Sequence, residues 1–417
     1  MFGDSETELK LRIIDKNTWK TLPKFSWLQN LSVLGSVTLQ PMESTYYDTP
    51  SRSLWKANYS FRIHQEEKGW IATLKKERAS RGGLHHHREW NVALPGPELN
   101  PEIWVQMSGA DKVVKLLHGQ PGLAPLFKIV SSRWFVLVNF QTDAALFELS
   151  MYRGVISTED NDEDINELEI NLRKGTARDL LSFTAELSRQ FLLPPENTNQ
   201  YHRGLRLAGL SVASKEKFSA SWPPTGRRFG DEAIGTVLAA QTDCFAKAGT
   251  VEELHVLRVS LRKLRSYLSF NAPLYSSEEV NHWKEVLGKW SRLMTGIREL
   301  DVLMEEWSNA AEQCEIDGSS SQLTAYWNEQ RKKHGDSLNK LIAKGKLTTD
   351  LLAFQIWISG EEKNDEATHE GKSFSIQRLE KWLKNMRRDL EQVDLADAEA
   401  MHNLMIQGKK PRYIMEQ

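Results

Sequence analysis

Two periodicities divide the chain. From Ser5 to about Lys174, apolar and polar positions alternate in short runs broken by turn residues, which predicts antiparallel strands. The runs are Glu6–Ile14, Tyr59–Gln65, Trp70–Lys75, Glu89–Leu94, Trp134–Phe140, Ala145–Met151 and Glu167–Leu172, with Gly82-Gly83 and Pro95-Gly96-Pro97 as turns between them. Helical spacing interrupts them near Lys112–His118 and from Thr176 to about Phe191. After about residue 215 the alternation stops. Ser219, Ser221, Pro223, Pro224, Thr225 and Gly226 read as a linker, and helical periodicity follows over 231–248, 251–270, 277–313, 320–345, 347–359 and 373–391. The pattern predicts an α+β chain: a β-rich domain over 1–212, a linker over 213–229 and an all-α helical-bundle domain over 230–417.

The first strand adds charge to this pattern. Glu6, Glu8, Lys10 and Arg12 alternate with Thr7, Leu9, Leu11 and Ile13, so the charged side chains share one face. One such strand alone is an ordinary half-exposed strand. Here the arrangement recurs, in Glu167 with Glu169, in Arg62 with His64, and in Lys75. Strands charged on one face and apolar on the other suit a closed antiparallel β-barrel, its lumen ionic and its outside covered by helices. Lys and Arg in such a lumen neutralise phosphoryl oxygens, Arg in a bidentate fork. Carboxylates facing them would repel a bare polyanion, so a hard divalent cation, Mg²⁺ or Mn²⁺, is expected between the two. A second metal or a carboxylate base would then orient water for in-line attack.

Composition narrows the setting. The chain has 417 residues, 40% hydrophobic and 26% charged, which fits two or three globular domains. It holds no run of about 18 apolar residues that would span a bilayer, and Met1–Glu6 lacks the basic flank and apolar stretch of a secretory signal. Cys244 and Cys314 have no metal-ligand spacing and fit a reducing cytosol, so a cytoplasmic location is expected. A net charge of −2 gives no overall pull toward nucleic acid or membrane, so any polyanion site must come from local clustering. His85-His86-His87 invites a metal reading, but neighbours on a strand point to opposite faces. The triplet reads instead as a surface turn.

Glu6-Thr7-Glu8-Leu9-Lys10 resembles the ExExK motif of the CYTH, or triphosphate tunnel metalloenzyme, family. Tyr46-Tyr47-Asp48-Thr49-Pro50 is similar to its YYDTP segment, Phe61-Arg62-Ile63-His64 to its LRIR strand and Thr73-Leu74-Lys75 to its TLK strand. Gly83-Leu84-His85 followed by Glu89–Leu94 is similar to the bacterial inorganic triphosphatase branch, and Phe147-Glu148 and Glu167-Leu168-Glu169 resemble the late acidic strands. Over residues 5–210 the resemblance implies a triphosphate tunnel with Glu6, Glu8, Glu148, Glu167 and Glu169 on the metal side. It implies phosphate ligands Lys10, Arg62, His64, Lys75 and Arg133, with Glu6, Glu8 and Lys10 central to catalysis. Four positions depart from the family: His64 for a second Arg, Tyr152 for Asp, Asn171 for a third Glu, and Gln200 for a Lys. A neutral His64 and Gln200 remove about two positive charges, each lost charge-assisted contact being worth roughly 1.5–3 kcal/mol.

In the helical half, His255, Arg258, Arg262 and Arg265 fall on one stripe of a helix, with Lys263 beside them and Leu254, Leu257, Leu261, Leu264 and Leu268 as the adjoining apolar stripe. This is either an amphipathic helix with a solvated basic face or a polyanion site. The stripe resembles the HxxRxxxRxxR helix of the CHAD family, which is associated with polyphosphate binding. Thr295–Val302, containing Arg298, resembles its GxxRDxDV segment, although Arg298 and Asp301 also suit an i,i+3 ion pair. His402, Lys409, Lys410, Arg412 and Tyr413 are similar to its second histidine helix, with Met405 in place of an Arg and Pro411 interrupting the pattern. The resemblance further implies a C-terminally shortened helical domain.

The leading expectation is a metal-dependent hydrolase of inorganic tripolyphosphate whose helical domain binds polyphosphate. A tethering protein with a weakened barrel, and a barrel acting on thiamine triphosphate or ATP, remain as alternatives. No nucleic-acid role is expected, since aromatics are not interleaved with the basic stripe.

Overall fold

A computed structural model describes residues 4–33, 37–66, 69–81, 83–98, 111–118, 122–141, 144–196, 198–210, 222–246, 249–314, 322–358, 371–394 and 397–415. The chain divides into two compact units, Met1–Thr184 with Leu193–Lys215, and Ala185–Leu192 with Glu216–Gln417.

The first unit holds strands β1 (Asp4–Arg12), β2 (Thr38–Asp48), β3 (Tyr59–Glu66), β4 (Gly69–Arg81), β5 (Leu84–Leu94), β6 (Ala124–Phe140), β7 (Ala145–Ser157) and β8 (Asp162–Lys174). They form a closed barrel in the order β1-β5-β4-β3-β2-β6-β7-β8, antiparallel throughout. The ring closes on β1, where Glu6 stands opposite His87 of β5 and Lys10 opposite Glu169 of β8. Every predicted strand is present. β2 was not predicted, because Pro41 breaks its alternation and lacks a backbone donor. In the barrel Pro41 sits opposite Ser132 of β6.

Side chains alternate across the barrel wall as strand geometry requires. Leu9, Leu11, Phe61, Leu74, Phe147, Leu168 and Ile170 face outward and are fully buried under helices. The helices of this unit are α1 (Thr18–Thr21), α2 (Ser26–Leu31), α3 (Ser53–Lys56), α4 (Asp111–Leu117), α5 (Ala177–Ser188, of which the residues to Thr184 belong to it) and α6 (Gln200–Leu207). Leu54 of α3 and Val113 of α4 join Phe61, Leu74, Trp90 and Val92 in one cluster. Phe183 of α5 packs on Phe147 at 5.0 Å between ring centres. Tyr201 and Leu205 of α6 pack with Tyr46, Phe127 and Ile156. Asn199 caps α6, its side-chain oxygen accepting from the His202 N–H at 2.9 Å.

The second unit is helical: α7 (Trp222–Ala246), α8 (Val251–Asn271), α9 (Ser277–Gln313), α10 (Gln322–Ala343), α11 (Lys346–Ile358), α12 (Gly371–Gln392) and α13 (Ala398–Met415). Part of the expected linker 213–229 is helical, since α7 begins at Trp222. Pro223 and Pro224 lie in its first turn, where a missing N–H leaves no bond unmade; residues 213–221 of that linker lie outside the described ones. The apolar stripe Leu254, Leu257, Leu261, Leu264 and Leu268 is buried as predicted. Pro411 does not interrupt α13, which runs through it. Pro411 and Tyr413 are both buried there. No helix among the described residues is long and apolar enough to cross a membrane.

Gly154 shows how closely the wall is packed. A Cβ there would stand 2.1 Å from the Val130 carbonyl oxygen and 2.6 Å from Ser131, both on the facing β6. Gly154→Ala must therefore push β7 from β6, and thermal or urea unfolding should show a loss of about 1–3 kcal/mol.

Candidate active site

The inward side chains line a cavity of about 400 Å³ inside the barrel. Glu6, Glu8 and Lys10 all reach it from β1, as their shared face requires. The Lys10 ammonium donates to Glu169 across the β1–β8 pairing and lies 3.2 Å from Glu8. Burial opposes ionisation of Glu8, but Lys10, Lys75 and the two nearby histidines hold its carboxyl far below the ordinary range. Burial likewise works against a charged Lys10, yet Glu169, Glu8 and Glu167 hold its ammonium well above its ordinary value.

A second cluster spans β4, β5 and β1. Lys75 lies 2.7 Å from Glu89 and 3.3 Å from the His87 ring, which in turn approaches Glu6 at 3.3 Å. One ligand atom from each of Glu6, His87 and Glu89 falls within 4.8 Å of the others. Burial opposes the charge on Glu89, but Lys75, His87 and Arg62 hold it well below the ordinary range. Glu6 is lowered chiefly by its hydrogen bond to His87.

The histidine triplet is no surface turn. All three residues lie on β5, with His85 and His87 only 1% and 2% exposed. β5 is paired on both sides, so the turn contracts to the residues before Leu84, with Gly83 at φ 80°. The expected alternation holds: His86 is on the other face, bonded to Thr7 Oγ1 at 3.0 Å. His85 Nε2 bonds the Glu196 carbonyl at 2.9 Å, tying β5 to the segment that follows α5.

A third cluster joins β6, β7 and β8. Arg133 donates to Glu148 at 2.5 Å and to Ser150 at 2.8 and 3.1 Å, with Phe135 4.5 Å beneath its guanidinium. Arg173 donates to Glu6 at 3.1 Å and to Glu148 at 3.0 Å. Arg62 and His64 line the cavity from β3. Arg62 touches Tyr46 Oη at 3.4 Å, and its Nε is buried without a hydrogen-bond partner. Tyr152 also faces the cavity, and burial pushes its hydroxyl up to about 12.

Glu167 lies elsewhere. It is 1% exposed, does not line the cavity, and accepts from Arg203 and, at 3.0 Å, from Gln200. The cavity therefore gathers Glu6, Glu8, Glu148, Glu169, Lys10, Arg62, His64, Lys75 and Arg133, and leaves out Glu167. Sequence reasoning missed Glu89, His87 and Arg173. For Arg173 the signal was present, since it extends the spacing of Glu167, Glu169 and Asn171 by one more step of two.

In the helical unit, α8, α9 and α13 bring basic residues together. Arg262, Lys263 and Arg412 surround the Tyr413 ring at 5.5, 5.9 and 5.3 Å. Burial, with Arg262 and Arg298 nearby, lowers the Arg258 guanidinium from its ordinary value. Arg265 is lowered by burial and Arg292, and Lys410 by burial, Arg265 and Lys284. The Nε atoms of Arg258 and Arg262 are buried without hydrogen-bond partners. His255 is half-buried and Lys409 exposed; the His402 side chain lies outside the described ones. Arg298 does not pair with Asp301. Asp301 accepts from Arg331 of α10 at 2.5 Å, and Arg298 faces Glu305 at 4.0 Å, because Asp301 points into the α9–α10 contact.

His85 makes the barrel acid-sensitive. Burial lowers its pKa to about 4 from 6.5, helped by Lys10. The unfolded chain then binds a proton that the folded chain refuses, so the stability it contributes is complete above about pH 6.5 and is lost as pH falls toward 4. Urea unfolding between pH 7 and 4.5 should show this loss, on the order of 2–3 kcal/mol, and His85→Gln should flatten it.

The CYTH domain model matches residues 4–202 and the CHAD domain model residues 231–417. The inorganic triphosphatase of Haemophilus influenzae is 28% identical over 276 residues, covering 66% of this chain and 71% of that protein. A solved Hippeastrum protein, described as an adenylyl cyclase with a dominant triphosphatase activity, aligns with 50% of this chain and 97% of its own at 12% identity and a TM-score of 0.33. The CHAD domain of Ricinus communis aligns with 49% of this chain and 68% of its own, at 17% identity and a TM-score of 0.37. Those two structural likenesses are too slight to support anything further. Barrel, lumen and family matches agree: the chain is a CYTH triphosphate tunnel domain over 4–202 joined to a CHAD domain over 231–417.

Proposed function

We propose that the barrel hydrolyses inorganic tripolyphosphate with Mg²⁺ or Mn²⁺, and that the helical domain binds polyphosphate. The observation that carries this is the interleaving of carboxylates and cations in one cavity, with the Arg62 Nε donor still unspent. The likeness to the H. influenzae inorganic triphosphatase supports the substrate class.

The donor set fits a hard divalent cation. Glu6, Glu8, Glu148 and Glu169 offer carboxylate oxygens in one cavity, and Glu6 and Glu148 already converge on a single guanidinium. A cation bound there supplies charge neutralisation at the phosphoryl oxygens and a more acidic water. The chain's own residues do the rest. Lys10, Arg62, Lys75 and Arg133 hold and orient the phosphate chain by charge-assisted hydrogen bonds. Glu8 and Glu169 keep Lys10 charged and aimed into the lumen. Arg203 and Gln200 hold Glu167, which anchors α6 against β8.

A second reading, a polyphosphate tether with a slow barrel, draws on Gln200, whose amide is spent on Glu167 where the family pattern has a lysine. One assay separates the two. Phosphate release from tripolyphosphate with Mg²⁺ or Mn²⁺ should fall more than about a hundredfold in Glu6→Gln/Glu8→Gln. No metal-dependent release by the wild-type chain overturns the hydrolase reading and leaves the tether.

For the helical domain, the converging arginines of α8 with unspent Nε donors support an anionic ligand. Affinity for long-chain polyphosphate should fall steeply with salt, and Arg258→Ala/Arg262→Ala should flatten the log–log slope by about one to two units. An unchanged slope removes these residues from the site.

A further inference from the structure

β8 lies between β1 and β7 in the barrel, so a β8 side chain is placed to reach carboxylates on both neighbours. Arg173 does this. Its Nη1 donates to Glu6 Oε1 on β1 and its Nη2 to Glu148 Oε2 on β7. The remaining oxygens of this pair are also engaged: Glu6 Oε2 lies 3.3 Å from the His87 ring, and Glu148 Oε1 accepts from Arg133 at 2.5 Å. A divalent cation ligated by Glu6 and Glu148 therefore meets these positively charged donors at the same oxygens and competes with them.

The donors are not equally held. Arg133 is 14% exposed, makes two further bonds to Ser150 and lies over the Phe135 ring. His87 is buried between Glu6, Glu89 and Lys75. Arg173 has a 39% exposed side chain, so water can solvate its guanidinium as soon as it lets go. Among these three donors it is the one that leaves at least cost. Once free, its planar fork suits two oxygens of a phosphoryl group as well as it suits two carboxylates.

We propose that Arg173 is a tethered cation that competes with the divalent metal for Glu6 and Glu148 and is drawn off them by triphosphate. The proposal rests on the metal-dependent reading of the barrel. It makes metal and triphosphate bind with positive coupling: each one removes a cost the other would meet, and by linkage the effect is reciprocal. Arg173 also lets the lumen exchange cations without leaving paired carboxylates uncompensated.

The test is Mn²⁺ binding to the full chain without phosphate, read from the electron paramagnetic resonance signal of free Mn²⁺. Arg173→Gln should bind Mn²⁺ about tenfold more tightly than wild type, a change of about 1.4 kcal/mol. Arg173→Lys, whose single ammonium cannot fork onto both carboxylates, should fall between them, and it stands in if Arg173→Gln does not fold. Affinity for metal-free tripolyphosphate, measured by calorimetry with chelator present, should drop about tenfold in Arg173→Gln. Equal or weaker Mn²⁺ binding by the variants overturns the competition. Unchanged tripolyphosphate affinity overturns the transfer to phosphate. If Glu6→Gln binds Mn²⁺ as wild type does, the metal reading itself fails, which is a different result from either of these.

Discussion

Closing an antiparallel sheet into a barrel sends every second side chain of every strand into one confined space. Charges placed there must neutralise one another, because an isolated buried ion is far costlier than a paired one. This constraint organises the first unit. Lys10 is held between Glu8 and Glu169, Lys75 beside Glu89 and His87, and Arg133 and Arg173 on Glu148. The apolar half of the same alternation, from Leu9 to Ile170, binds the covering helices to the outside. One period-two pattern therefore builds both the barrel's core and its ionic lumen.

That pattern is also why so much was legible. Glu6, Glu8 and Lys10 declare their common face in the sequence alone, and their cavity position follows once the sheet closes. The long helices of the second unit were legible for the matching reason, since Leu254 through Leu268 keep a helical spacing. What escaped was nonlocal. β2 was hidden because Pro41 spoils the alternation locally, while its pairing with β3 and β6 supplies what the local signal lacks. His87 was misplaced because three successive histidines look like a turn until pairing with β1 and β4 makes them a strand.

Glu167 shows the limit of reading a residue from its motif. It shares a strand face with Glu169, and nothing in the sequence separates their roles. The structure separates them by what stands opposite: Lys10 meets Glu169, whereas Arg203 and Gln200 from α6 meet Glu167. Burial raises the pKa of Glu167 against the pull of Arg203, a balance that belongs to an internal strut. A helix far along the chain thus decides which carboxylates remain open to the cavity.

The two units treat negative charge in physically different ways. The lumen is internally balanced, cation against carboxylate, so any anion entering it would reorganise pairs that already exist. Reorganising such pairs is what lets charge be directed at particular oxygens, and it is where a divalent cation has a use. The face of α8 is unbalanced instead. Arg258 is crowded by Arg262 and Arg298, and Arg265 by Arg292, with no carboxylate among the groups that shift them. Such a surface lowers its own repulsion simply by taking up an anion, with no metal and no exchange of partners. Balanced charge in a closed space answers an anion by exchanging partners; unbalanced charge on a helix answers it by direct neutralisation.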